Sequence, residues 1–213
     1  MKPQDKEIYW SRFANDFEEK QQAVVGKEIL SLTAQEVLKE QNLGRVLELG
    51  CGTGLFTEAL QNRAQKVIAT DYSEEMIAMA KQKRAQLKNV EFAQANAMKL
   101  EFEDESFDTV FMGNLIHVIG NAEKVIQESK RVLKKGGLLI ITSFSIYDIG
   151  FFSRMKLAMR YIKTFGKPST DATKEKISQK SIEILLQKNA LHISKSILLG
   201  KKSKAFYVVS TKI

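Results

Sequence analysis

The chain has 213 residues, of which 44% are hydrophobic, enough for one substantial core, so we expect a single domain. Its one cysteine excludes an intramolecular disulfide, and the sequence contains no uncharged apolar run of about 18 residues that would predict a membrane-spanning helix. A net charge of +8 fits nucleic acid, an anionic membrane surface or acidic substrates, but the scattered basic patches do not identify a nucleic-acid enzyme.

Hydrophobic periodicity predicts helices and strands that alternate along the chain, which is typical of a parallel sheet with helices on both faces. In the N-terminal segment, residues 8–40, Tyr9, Phe13 and Phe17 recur every fourth residue, and a second helix is predicted at about 23–40. The elements that follow are a strand at 45–50, a helix at 54–63, a strand at 66–71, a helix at 74–87, strands at 90–95 and 107–113, a helix at 121–134, a strand at 138–144, a helix from about 178 and a terminal hairpin of 192–199 and 205–211. Ser73 and Asn121 are the expected helix N-caps.

Three alternate glycines, Gly50, Gly52 and Gly54, follow the first predicted strand, and the carboxylate of Glu48 stands two positions before them. Glycines at this spacing let the backbone approach a ligand closely between a strand and a helix. A dinucleotide loop normally needs a small residue where Leu55 stands, and a carboxylate would repel a pyrophosphate. S-adenosylmethionine carries a sulfonium and an ammonium group instead of phosphates, so Glu48 would attract it directly or through water.

Asp71 ends the second predicted strand, about 20 residues after Gly50, where a nucleotide-binding βαβ unit places an acid that accepts the two ribose hydroxyls. Residues 46–54 resemble motif I of the class I S-adenosylmethionine-dependent methyltransferases. Asn96 and Ala97 resemble that family's Asp-Ala pair at the adenine edge, with an amide oxygen as the acceptor. Residues 102–108 and 131–137 resemble two further turns of the family, and the resemblance covers about residues 40–145.

The resemblance implies an α/β fold: a doubly wound, mostly parallel seven-stranded Rossmann-like sheet with its last strand antiparallel and helices on both faces. It also implies S-adenosylmethionine as cofactor, S-adenosylhomocysteine as product, and no metal. The candidate cofactor-binding residues are Glu48, Gly50, Cys51, Gly52, Thr53, Gly54, Asp71, Tyr72, Met76, Asn96, Ala97 and Asn114.

Two polar residues follow the fourth main strand, at the sheet edge where open α/β folds bind ligands. His117 is the candidate catalytic base, or it packs at the cofactor's edge without transferring a proton. Asn114 faces the cofactor or the acceptor, or caps the following turn. The segment 113–116 has no proline, whereas enzymes that methylate amino groups of nucleic-acid bases typically carry one there, so base N-methylation is disfavoured.

Two apolar segments lie outside the core. Tyr9, Trp10 and Phe13 are candidates for a cap over the cofactor and the acceptor, or they pack against the sheet edge. In the inserted segment, basic residues flank an apolar stripe at helical spacing that consists of Phe151, Met155, Ala158, Ile162 and Phe165. That stripe is interpreted as core packing, as a lid over a hydrophobic substrate, or as a helix on a membrane surface.

The expected organisation is one methyltransferase domain over 1–213, composed of an N-terminal helical cap (1–40), a cofactor-binding core (41–144), an inserted helical lid (145–175), and a C-terminal helix and β-hairpin (176–213). The expected activity is methyl transfer to a small, hydrophobic or amphiphilic acceptor. The alternatives are an RNA or protein methyltransferase and a non-catalytic binding module. We expect a cytoplasmic monomer or homodimer that does not bind nucleic acid and contacts membranes peripherally through 150–165.

Overall fold

The structure is a computed structural model, which describes residues 9–144, 146–168, 175–200 and 205–213. Within these ranges the strands form one seven-stranded sheet of order β3-β2-β1-β4-β5-β7-β6. Strand β7 runs antiparallel to both neighbours and the other pairings are parallel, which confirms the predicted fold class. The strands are β1 Arg45–Leu49, β2 Lys66–Asp71, β3 Val90–Gln94, β4 Phe107–Gly113, β5 Leu133–Phe144, β6 Leu191–Leu199 and β7 Ala205–Lys212.

Helices cover both faces of the sheet. Their bounds are α1 Phe17–Val25, α2 Lys27–Lys39, α3 Thr57–Leu60, α4 Glu74–Lys83, α5 Ala122–Val132, α6 Phe151–Phe165 and α7 Gln179–Lys188. The predicted caps are confirmed, because Ser73 accepts from the Met76 N–H and Asn121 from the Lys124 N–H. Each cap satisfies a backbone donor that has no partner inside its own helix.

Several predicted bounds are wrong. Helix α4, predicted over 74–87, ends at Lys83. Helix α3 has one turn only, because 61–63 already form turns toward β2. Strand β5 begins at Leu133, which pairs with Phe107 across a register irregularity, so helix α5 ends earlier than predicted. The N-terminal aromatics do not lie on one continuous helix, because a 3-10 turn at Ala14–Asp16 precedes α1. The predicted hairpin turn at 201–204 lies outside the described residues.

The strands alternate their buried side chains between two apolar layers. One layer packs Val46 and Phe111 against α1 and α2, and the other packs Leu47 and Val110 against α5 and α7. Burial on both faces explains why these strands read as continuous apolar runs, since a parallel sheet covered by helices exposes neither face.

Helix α6 corrects the interpretation of the inserted stripe as core packing. Leu157 and Phe165 are its buried side chains, whereas Phe151 and Met155 are exposed. The inner face of α6 packs against α1, beside the N-terminal aromatics. No helix among the described residues combines the length and apolar character that crossing a bilayer would require. The remainder of the predicted lid, residue 145 and residues 169–174, lies outside the described ranges.

Candidate functional site

A cavity of about 270 Å³ opens at the carboxyl ends of β1, β2 and β4. The chain proceeds from β1 to β2 and β3 on one side and crosses to β4 and β5 on the other, so this is the point where the strand order reverses. Open α/β sheets bind ligands at such a point, because the connecting loops diverge and leave a crevice between them.

The glycine loop that follows β1 forms the floor of the cavity. Gly50, Gly52 and Gly54 all have positive φ angles, of 67°, 54° and 87°. A Cβ atom on Gly52 would lie 2.8 Å from Cε1 of Phe17, so the loop accepts only glycine here without displacing that ring. The Phe17 ring therefore packs the first turn of α1 directly against the loop.

Asp71, at the end of β2, presents its carboxylate to the cavity. One oxygen accepts the Gly52 N–H at 2.9 Å and the other accepts the Ser73 N–H at 3.0 Å. Burial raises the pKa of Asp71, while these backbone bonds lower it. Each carboxylate oxygen has a second lone pair, so the group has capacity for two further donors such as vicinal hydroxyls.

Glu48 lies behind the loop instead of in the cavity wall. Its side chain is 2% exposed and accepts a 2.5 Å hydrogen bond from the Thr57 hydroxyl. The pKa of Glu48 is raised to about 7, mainly by burial and in part by the nearby charge of Asp71, while the Thr57 bond and Arg84 oppose the shift. Glu48 does not reach the cavity in this geometry, so it can act on a ligand only through the electric field of its charge.

Replacing Glu48 by glutamine is expected to change how stability depends on pH. The folded pKa of about 7 exceeds the ordinary value of 4.5, so the folded state holds this proton more tightly and the unfolding free energy of the wild type falls as pH rises between those values. The Glu48→Gln variant has no such titration, so its free energy of unfolding should rise relative to that of wild type by up to about 3 kcal/mol between pH 5 and pH 8. Urea unfolding at unit pH steps measures it.

Glu91→Gln is the matched control, because Glu91 is an exposed acid on β3 whose carboxylate pairs with Lys66. The free energy of unfolding of Glu91→Gln should not rise relative to that of wild type as the pH increases. If the Glu48→Gln and wild-type curves ran parallel over the same range, the assignment of a raised pKa to Glu48 would be wrong.

The opposite wall of the cavity includes Tyr72, Met76, Asn96 and Ala97. The Asn96 amide oxygen accepts the Met98 N–H at 2.9 Å, which fixes the turn after β3. An amide oxygen has two lone pairs, so this bond leaves one acceptor position on Asn96.

Asn114 and His117 follow β4 in different environments. Asn114 lines the cavity with a positive φ of 58°, and its side-chain oxygen accepts the Phe144 N–H at 3.2 Å. The Nδ1 atom of His117 lies 2.8 Å from the Ser143 hydroxyl, and its ring packs against Phe144. Burial lowers the pKa of His117 to about 4, so the ring is neutral near pH 7.

An acid in α1 ties the N-terminal segment to the loop. Oε1 of Glu18 accepts the Thr53 hydroxyl at 2.8 Å and an Arg84 N–H at 2.9 Å. The Nε of Arg84 also donates to the Gly54 carbonyl at 3.1 Å. Sequence reasoning missed Glu18 and Arg84, because they are 66 residues apart in the chain and neither belongs to a motif.

The structure brings most predicted site residues together at one cavity. Those in its wall are Gly50, Cys51, Gly52, Thr53, Asp71, Tyr72, Met76, Asn96, Ala97, Asn114 and Trp10. Those outside the wall are Glu48, Gly54, His117, Tyr9, Phe13, Phe151 and Met155. Residues that were not predicted as site residues complete it. The large apolar ones are Phe17, Leu55, Phe56, Met98, Leu115, Val118 and Ile119, and the others are Gln21, Ser73, Ala95 and Gly113. The described residues contain no group of three or more His, Cys, Asp or Glu side chains placed to hold a metal ion.

Sequence comparisons agree with this geometry. Residues 47–141 match the family model described as "Methyltransferase domain". A phosphatidylethanolamine N-methyltransferase of Cereibacter sphaeroides is 36% identical over 148 residues, which cover 68% of this chain and 72% of that protein. A demethylmenaquinone methyltransferase of Bacillus cereus is 36% identical over 146 residues, covering 65% of this chain and 62% of that protein. The chain thus spans less than two thirds of the second relative.

Solved structures share the fold at lower identity. A SAM-dependent methyltransferase of Thermotoga maritima has a TM-score of 0.74 at 22% identity, with 97% of this chain and 99% of that chain covered. Another from Aquifex aeolicus has a TM-score of 0.66 at 22% identity, with 91% and 93% covered.

Proposed function

Because this chain belongs to the class I S-adenosylmethionine-dependent methyltransferases, we propose that it methylates a small amphiphilic molecule whose apolar part lies against the aromatic N-terminal segment. The chemistry of the site fits the cofactor that the family uses. The cavity of about 270 Å³ is near the lower limit of small-molecule sites, about 300 Å³.

The cofactor would be held by groups around the cavity. Asp71 would accept the ribose hydroxyls, and Asn96 with the backbone of Ala97 would bond the adenine edge. The glycine loop and Asn114 would contact the methionine portion. The cofactor supplies an electrophilic methyl group. The carboxylate of Asp71 in the cavity wall, with the partly ionised Glu48 behind the loop, favours a cationic ligand over a polyphosphate.

The apolar remainder of the wall is the observation that carries the acceptor proposal. Leu115, Val118 and Ile119 follow β4 on one side, and Trp10 and Phe17 come from the N-terminal segment on the other. Such side chains exclude water and align an apolar acceptor by packing, which are the tasks that methyl transfer asks of a protein. The two relatives named above act on acceptors with a polar head and an apolar tail, as phosphatidylethanolamine and demethylmenaquinone both have.

A methylation screen with labelled cofactor tests the proposal. The acceptors are a phosphatidylethanolamine, a demethylated quinone with its tail, and the matched headgroups alone, ethanolamine and a tail-free quinone. We expect label in at least one amphiphile, with kcat/KM at least about tenfold lower for its headgroup because the tail's burial is lost.

Two other outcomes would contradict the acceptor class. If only RNA or protein took up label, the chain would be a macromolecule methyltransferase. If cofactor bound and no acceptor of any class were methylated, the chain would be a binding module. Heat-denatured protein provides the blank for each acceptor.

The role of His117 as a base stays a prediction, and its geometry favours the alternative of packing and hydrogen bonding. A group with a pKa of about 4 is a weak base near pH 7, so His117→Ala is expected to lower kcat by less than about tenfold. The pH profile of kcat should keep its shape in this variant. A loss of a hundredfold or more with an altered profile would instead assign proton transfer to His117.

Peripheral membrane contact through 150–165 remains a prediction that does not depend on the acceptor class. The absence of nucleic-acid binding, the state as monomer or homodimer, the single-domain organisation and the cytoplasmic location remain predictions.

A further inference from the structure

Helix α6 presents its large apolar side chains to solvent. Phe151 is 67% exposed, Phe152 85%, Met155 47%, Met159 60% and Ile162 51%. Single exposed apolar residues are ordinary on a protein surface, but five on one helix are not. This set, the exposed face of α6, is separate from the cavity described above.

The exposed face forms one continuous strip. At about 100° per residue the five side chains span roughly 100° of arc, on the opposite side of the helix from the buried Leu157. Basic residues border the strip, with Lys156, Arg160 and Lys163 on one edge and Arg154 on the other. Residues 151–165 contain no acidic side chain, so nothing within the helix offsets these charges.

We propose that the exposed face of α6 docks on the surface of an anionic lipid bilayer. An apolar strip bordered by lysine and arginine is the pattern of a helix that lies in a membrane interface, where apolar side chains enter the acyl boundary and basic ones meet lipid phosphates. A second copy of this chain fits less well, because a symmetric contact would bring two sets of four cations around one apolar strip.

The position of α6 connects this surface to the cavity. The ring of Phe165, in the last turn of α6, lies 5.6 Å from that of Trp10 and 5.2 Å from that of Phe13. The Tyr9 hydroxyl also donates to the Phe165 carbonyl at 3.0 Å. Trp10 is part of the cavity wall, so α6 carries the exposed strip on one side and contacts an aromatic residue of the site through Phe165.

Vesicle sedimentation tests the proposal on the full chain without cofactor or acceptor, so its outcome is independent of the methylation screen. The probes are vesicles of phosphatidylcholine alone and of phosphatidylcholine with 30% phosphatidylglycerol. We expect binding to the anionic vesicles and at least about tenfold weaker binding to the neutral ones or at high salt.

Two variants separate the apolar and the charged contributions. The double change Phe151→Ser and Phe152→Ser should lower the partition coefficient at least about tenfold on anionic vesicles. The triple change Lys156→Gln, Arg160→Gln and Lys163→Gln should lower the partition coefficient on anionic vesicles about fivefold per charge. Binding to neutral vesicles should not change.

The matched control is the double change Ile184→Ser and Leu198→Ser, because these side chains are also exposed, at 56% and 41%, but lie on α7 and β6. It should bind vesicles as the wild type does. The proposal is overturned if wild type fails to sediment with anionic vesicles at low salt, or if the double phenylalanine variant binds like wild type. It is also overturned if those phenylalanines instead hold a dimer that ignores vesicles.

Discussion

Replacement of Gly52 by valine is expected to abolish cofactor binding, with a loss in affinity of at least about a hundredfold. Gly52 has a φ of 54°, which costs a β-branched residue about 1–3 kcal/mol. The added Cβ would also lie 2.8 Å from the Phe17 ring. Because the Gly52 N–H bonds Asp71, a shift of the loop moves the proposed ribose acceptor as well. Calorimetric titration with S-adenosylhomocysteine measures the loss.

Gly136→Val is the matched control. Gly136 also has a positive φ, of 75°, but a Cβ there meets nothing within 4 Å, and it lies near the start of β5, away from the cavity. The control should lose about 1–3 kcal/mol of stability and keep its affinity. Equal affinities of the Gly52→Val variant and wild type would contradict the placement of the ligand on this loop.

The parts of the fold that the sequence predicts well are those determined by local chemistry. Strands β2 and β4 have the predicted bounds, because apolar runs bounded by polar turns identify buried parallel strands. The Ser73 cap depends on residues three positions apart, so it is visible without tertiary structure. The cavity likewise assembles from the ends of β1, β2 and β4, whose adjacency follows from the doubly wound order.

Helix α6 illustrates what periodicity cannot determine. The predicted stripe contains Phe151, Met155 and Phe165, and the helix buries the last of these while exposing the other two. A hydrophobic period identifies a face of a helix, but the surface it meets depends on how the helix is docked. Leu157, outside the predicted stripe, is buried together with Phe165 on the face that packs against the rest of the protein.

The charged residues behind the loop could not be predicted from sequence patterns either. Arg84 reaches Glu18 across 66 residues of sequence, and the Arg84 side chain is only 9% exposed. Glu48 was predicted to attract the cofactor directly or through water, and its position on β1 directs its side chain to Thr57 beneath the loop. Alternation along a strand decides such orientations only once the partner helices are known. The electrostatic argument survives in a weaker form, because a buried carboxylate near the cavity still favours a cation.

Asp71→Ala is expected to weaken cofactor binding by about 1.5–3 kcal/mol, or about 10- to 150-fold. The carboxylate lies in the cavity wall, and its oxygens already accept the Gly52 and Ser73 N–H groups. The variant would therefore lose both the hydroxyl acceptor and part of the loop's order, so affinity alone does not identify the ribose contact.

A ligand lacking the 2′ and 3′ hydroxyls separates these two effects. If Asp71 bonds the ribose, removing the hydroxyls from S-adenosylhomocysteine should weaken binding to wild type by at least about tenfold and hardly change binding to Asp71→Ala. If Asp71 only orders the loop, the hydroxyl deletion should cost the same in both proteins. Calorimetric titration of the two ligands against the two proteins measures all four binding free energies. If the losses from the Asp71 change and from the hydroxyl deletion are additive, Asp71 does not bond the ribose, because groups that do not interact have additive effects.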